Sequence, residues 1–173
     1  MSDPLAELAK LHAAVDAEVA ELSELHAERL QCGRGCAGCC VDDLSVFALE
    51  AERIRVEAGE LLRSGQPHPP GACAFLDAEG ACRVYAARPY VCRTQGLPLR
   101  WLEERQAQVV ELRDICPLNE PEDQLPLEAL APEDCWPIGP VEARLRELQA
   151  GHEPETPLRR VRLRDLFGAP AED

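Results

Sequence analysis

Four cysteines packed into nine positions, Cys32-x3-Cys36-x2-Cys39-Cys40, make LQCGRGCAGCCVDD the most chemically loaded stretch of the sequence, and Cys73, Cys82, Cys92 and Cys116 follow. Cysteine thiolates are soft ligands. Four of them gathered from separate loops close a tetrahedron around zinc, and the same donors hold iron or an iron–sulfur cluster. The two-residue spacer of Cys36-x2-Cys39 lets both sulfurs of that pair chelate one ion. Adjacent Cys39 and Cys40 obey a different geometry, because neighbouring side chains of extended backbone point to opposite sides. Either they serve different metals or only one is a terminal ligand. The downstream thiols are therefore expected to divide between at least two metal positions or to share a bridged centre.

The same stretch spells Gly33-x-Gly35-x-x-Gly38, the spacing of a dinucleotide-binding turn. That turn needs a strand before the glycines and a helix opening at the third, so that a pyrophosphate meets free backbone N–H groups. Here the preceding residues have helical periodicity and the following CCVDDL lacks a helix start. The glycines fit better as backbone freedom beside the cysteines, with amide N–H groups brought within reach of sulfur.

CGRGCAGCC, then CAFLDAEGACRVYAARPYVCR, then ICPL together resemble the YkgJ-type cysteine-cluster family, described as a zinc- or iron-chelating domain with a CxxCxxCC signature. The resemblance spans roughly residues 32–117. It departs from the family pattern by one extra residue between Cys32 and Cys36 and by TQGLPL after Cys92-Arg93. The resemblance implies metal binding and makes Cys32, Cys36, Cys39, Cys40, Cys73, Cys82, Cys92 and Cys116 the expected ligands of zinc, iron or an iron–sulfur cluster. Some relatives carry the cluster beside a protein-methylating activity, so an iron–sulfur-dependent redox or methyl-transfer enzyme is one alternative. A partner-binding adaptor stabilised by structural zinc is another. No methyl-donor site, Walker loop, H-E-x-x-H or G-x-S-x-G is recognisable, and no catalytic residue is assigned.

Cys135 lies outside this pattern, among prolines, and reads as a free or half-buried thiol. His68 stands five residues before Cys73 but is a lone loop histidine; His12, His26 and His152 have no companions. Arg34, Arg83, Arg88 and Arg93 each fall within a few residues of a cysteine. A four-thiolate zinc site carries a formal charge of about −2, which guanidinium groups there would offset.

The elements that must position these residues follow from periodicity. Leu5, Leu8, Leu11, Val15, Val19, Leu22 and Leu25 recur at three- and four-residue intervals behind an Asp3-Pro4 start, predicting a long amphipathic helix up to the first cysteine. It packs on its own domain or self-associates. A second helix is expected over 47–62 with Ser45 as its cap and Gly65 beyond its end. The segment 73–85 predicts a short hairpin turning at Asp77–Gly80 that brings Cys73 and Cys82 together, and 97–113 predicts another. Six prolines from Pro117 to Pro140 predict a surface wrap with short helical turns. Pro140 opens a last helix through Ala150, and RRVRLRDLFG reads as a strand with one basic face, pairing internally with the Glu-rich first helix.

The expected fold is α+β, a cysteine-rich core with short hairpins flanked by N- and C-terminal helices. One domain is expected over 1–173, with the first helix in 1–31, the cysteine-cluster core in 32–117 and the Pro-rich wrap and last helix in 118–173. Acidic residues number 32 against 18 basic ones, a formal net charge of −14, which disfavours binding to phosphate backbones or anionic lipid. No apolar run nears the roughly 20 residues of a membrane span, and MSDPLAELAK lacks the regions of a secretion signal. A cytoplasmic setting is expected, where thiols stay reduced and dense cysteines bind metal or do redox chemistry.

Overall fold

Helix α1 (Pro4–Leu25) starts as its sequence requires, with the Asp3 carboxylate accepting the Leu5 N–H at 3.0 Å. The computed structural model describes residues 3–120 and 123–168, so Pro121 lies outside the described residues. Leu8, His12 and Val15 form the buried stripe of α1, while Leu25 is exposed, and turns carry the chain on to Cys32. The helix is shorter than its periodicity suggested. His26 Nε2 donates to the Asp134 carbonyl at 2.7 Å, and the buried Arg29 donates to the Leu125 carbonyl at 2.5 Å, so tertiary bonds shape the residues after Leu25.

The chain divides into two compact units. The first holds residues up to Leu11, Gly33–Pro89 and the residues from Leu145 on. In it, β1 (Ser45–Phe47) leads into α2 (Ala48–Glu57) and α3 (Gly59–Ser64). Ser45 is therefore a strand residue and not a cap. The cap position falls to Phe47, whose N–H is accepted by Glu50 at 3.3 Å, and Gln149 Oε1 accepts the next free N–H, that of Leu49, at 2.9 Å. The single helix expected over 47–62 is broken at Ala58-Gly59, where glycine weakens helical preference. Val46, Ala51, Ile54, Leu62, Phe75, Leu76, Val84, Leu163 and Leu166 bury each other in one cluster, at about 1.5–3 kcal/mol for each large side chain.

The second unit holds His12–Cys32 and Tyr90–Arg144. After the short helix α4 (Tyr90–Arg93), strands β2 (Leu99–Arg105) and β3 (Gln108–Asp114) pair antiparallel from Leu99↔Asp114 to Arg105↔Gln108, as the sequence predicts. Strand β4 (Trp136–Pro137) adds to β2 in parallel, giving the order β3-β2-β4. Between them the Pro-rich segment makes single 3-10 turns at Pro117–Asn119, Leu127–Ala129 and Pro132–Asp134. Ile115, Leu127, Leu130 and Cys135 form a small core there. Helix α5 (Pro140–His152) starts in the second unit and continues into the first, running through Gly151.

In the first unit, β5 (Arg160–Arg162) pairs antiparallel with β1, Val161 opposite Val46. The strand ends there because Leu163–Leu166 turn into a 3-10 helix. The basic face of this segment does not pair with α1. Arg160 donates to the Ser45 carbonyl, Arg162 pairs with Asp165, and Arg164 pairs with Asp42. The whole is an α+β fold with a long N-terminal helix, as expected.

Candidate metal centres

None of the nine cysteines, all among the described residues, forms a disulfide. Cys36, Cys39, Cys40, Cys73 and Cys82 belong to the first unit, and Cys32, Cys92, Cys116 and Cys135 to the second.

In the first unit the backbone brings three loops together. The Cys73 N–H donates to the Cys40 carbonyl at 2.8 Å, and Leu76 forms an isolated antiparallel bridge with Cys82. The expected 73–85 hairpin is thus reduced to one bridge. Its turn is held by the Asp77 carboxylate, which accepts the N–H groups of Glu79 and Ala81 at 3.0 and 2.7 Å, and Tyr85–Ala87 then turns into a 3-10 helix before a second strand can form. Gly35 and Gly80, at φ +88° and +77°, meet backbone to backbone; a Cβ on Gly80 would stand 3.3 Å from the Gly35 carbonyl. This close approach seats the Cys36 turn on the turn before Cys82.

The thiols so gathered feel one another. Burial pushes the Cys40 thiol up to about 12, and the neighbouring Cys39, Cys73 and Cys82 add to the shift. Cys73 is raised by burial against the pull of the Phe75 N–H, which donates to its sulfur, and of Arg164. Cys82 is raised by burial against the Val84 N–H, with Arg88 and Arg83 also favouring its thiolate. Each of these two sulfurs therefore has an N–H donor two residues along the chain. Of the four arginines near cysteines, Arg83 and Arg88 act on the Cys82 thiol, whereas Arg34 is exposed and Arg93 is buried against Asp16 at 2.5 Å.

Arg164 was missed in the sequence, hidden in what read as a strand face. It ties the loop before Cys73 by donating to the carbonyls of His68, Pro69 and Ala72 at 2.8, 3.3 and 2.9 Å. Asp42 accepts from the Gly71 N–H and from Arg164, which hold its carboxyl below the usual range. His68 thus supports this loop through its backbone carbonyl.

In the second unit the buried Asn119 amide donates to Cys32 Sγ at 3.3 Å and to the Gly96 carbonyl at 2.8 Å. Cys116 precedes Asn119 by one 3-10 turn, and Cys92 lies on α4. That helix is fixed by the buried Trp136, whose Nε1–H donates to the Tyr90 hydroxyl at 2.8 Å. Cys135 is buried in the apolar cluster rather than half-exposed, and burial raises its thiol against the pull of Arg113. A cleft of about 510 Å³ is lined by residues 24–29, Gln124 and Leu125, none of them a cysteine.

A family model described as "CxxCxxCC: Putative zinc- or iron-chelating domain" matches residues 31–117, half of the chain. The chain belongs to this family. No curated protein and no solved structure matches it.

The donor chemistry fits a thiophilic ion: soft sulfurs, N–H donors aimed at two of them and guanidinium groups around them. The side chains do not form a finished cage. Among the described residues no group of three or more His, Cys, Asp or Glu is disposed to hold a metal ion. No helix among them is long and apolar enough to cross a membrane.

Proposed function

We propose that the protein binds zinc or iron through two thiolate sets, one on each unit. The first set is drawn from Cys36, Cys39, Cys40, Cys73 and Cys82, with Cys40, Cys73 and Cys82 its common members and the Cys36-x2-Cys39 chelate completing it. The second set is Cys32, Cys92 and Cys116. The observation that supports this reading most is that Cys73 and Cys82, from two other loops, both act on the Cys40 thiol. As thiols they are held neutral by burial; as thiolates around a dication their charges would be offset, and the side-chain movements that close the set would be driven by metal binding. A bound zinc or iron would supply folding free energy and a Lewis-acid or redox centre.

Elemental analysis of anaerobically purified protein tests the reading. Tightly bound zinc or iron at one or more per chain is expected, and less than one metal per chain in a fully folded preparation would sink it. Visible absorption and labile sulfide in the same sample decide between a mononuclear site and an iron–sulfur centre. The latter would move the protein towards redox or methyl-transfer chemistry.

A further inference from the structure

We propose that Asn119 is a positioning residue for the Cys32 sulfur, aiming that thiolate as a ligand. The inference rests on the reading of Cys32 as a ligand given above, and it adds a residue two positions beyond the end of the family match.

Asn119 is 0% exposed, so its amide must find partners inside the protein or cost free energy. A carboxamide has two N–H donors. Nδ2 donates both to the Gly96 carbonyl at 2.8 Å and to Cys32 Sγ at 3.3 Å, while Oδ1 accepts the Gln31 N–H at 2.8 Å. The one side chain therefore grips the backbone just before Cys32 and its sulfur at once, which fixes the direction in which the sulfur points.

Gly96 makes room for this arrangement. It sits at φ +95°, and a Cβ there would stand 2.5 Å from Cys32 Sγ and 3.2 Å from Asn119 Nδ2. The Asn119 N–H in turn donates to the Cys116 carbonyl at 2.8 Å, so the residue that orients one expected ligand is tied to the backbone of another. An N–H bond to a ligating sulfur orients the ligand, and losing such a partner typically costs about 10–100-fold in metal affinity.

Cobalt(II) titration of the metal-free full-length chain tests this, with the sulfur-to-cobalt charge-transfer band and the affinity as readouts. Asn119→Asp keeps the shape but replaces the donor with an oxygen facing sulfur. It is expected to weaken cobalt binding by about 10–100-fold and to shift the band. Asn119→Ser serves the same purpose should the aspartate prevent folding, which a thermal melt reports. Added to Cys32→Ser, either substitution is expected to change neither readout further, because the sulfur is already gone. A merely structural amide would lower the melting temperature in both backgrounds and leave the band in place. If Cys32→Ser alters cobalt binding while both Asn119 variants bind as the parent does, the ligand reading stands and this inference falls. If Cys32→Ser itself binds cobalt with unchanged band and affinity, the ligand reading fails and takes the inference with it.

Discussion

Cys40 is the thiol on which the first set turns, since three other sulfurs act on it and burial holds it neutral. Removing it is expected to cost a fraction of the metal and no more. Cys40→Ser should lower metal per chain while the second set stays filled, whereas Cys135→Ala, in its apolar cluster, should leave metal content unchanged. Elemental analysis of both variants checks this, and the opposite pattern would reverse the ligand assignment. The raised thiols also predict a pH dependence for the metal-free protein. A folded pKa above the unfolded thiol value of about 8.5 contributes stability that is complete below 8.5 and lost as pH rises towards 12. Metal-free protein should melt at a lower temperature at pH 10 than at pH 8. The metal-loaded protein, whose thiols have already given up their protons, should show a smaller drop over the same interval.

At the scale of elements, turns rather than long helices bring the cysteines together. The pairing of Gly35 with Gly80 and the fit of Gly96 over Cys32 depend on close backbone approach that a side chain would block. The β2–β3 turn shows the reverse: Gln106 and Ala107 sit at φ +51° and +63° without being glycine. Tight hairpins of this hand favour Asn-Gly, and a non-glycine residue in left-handed backbone costs about 1 kcal/mol. Gln106→Asn with Ala107→Gly should therefore raise the melting temperature by roughly 2–4 °C and leave metal content unchanged. A lower melting temperature would mean that these side chains make contacts worth more than the strain. Helix α1 has its buried stripe at Leu8, His12 and Val15, the pattern of a helix packed on its own chain.

For the whole molecule, the metal should act as part of the core. Aromatic residues make up only 4% of the chain, so the apolar clusters rest mainly on aliphatic side chains. In small zinc peptides the ion contributes apparent folding free energies of about 10–16 kcal/mol. Stripping metal with a chelator is expected to lower the melting temperature by on the order of ten degrees or more. The loops at 33–42 and 66–83 should become sensitive to protease before α2 does. Equal protease resistance with and without metal would show that the clusters suffice alone. The net charge of −14 adds self-repulsion, and a four-thiolate site of formal charge about −2 would add to it.

Local chemistry made much of this legible from the sequence. Asp3-Pro4 starts α1, Pro140 opens α5, the alternation over 97–113 gives the β2–β3 hairpin, and the cysteine spacings mark the family. These signals lie within a few residues of what they determine. The 73–85 hairpin was cut short locally, by the 3-10 turn at Tyr85–Ala87. Other expectations that failed were decided by a distant group: Gln149, 100 residues on, accepts the Leu49 N–H at the start of α2, and Asp42, 122 residues back, draws Arg164 out of a strand face into the support of the Cys73 loop. The sorting of cysteines is of the same kind. Cys32 is separated from Cys36 by three residues in sequence, yet Asn119 and Gly96 hold it in the other unit. Spacing along the chain identifies which residues can bind metal, because chelation by a short pair is local. Which of them share an ion depends on packing between segments 30 to 90 residues apart, and that only the tertiary structure decides.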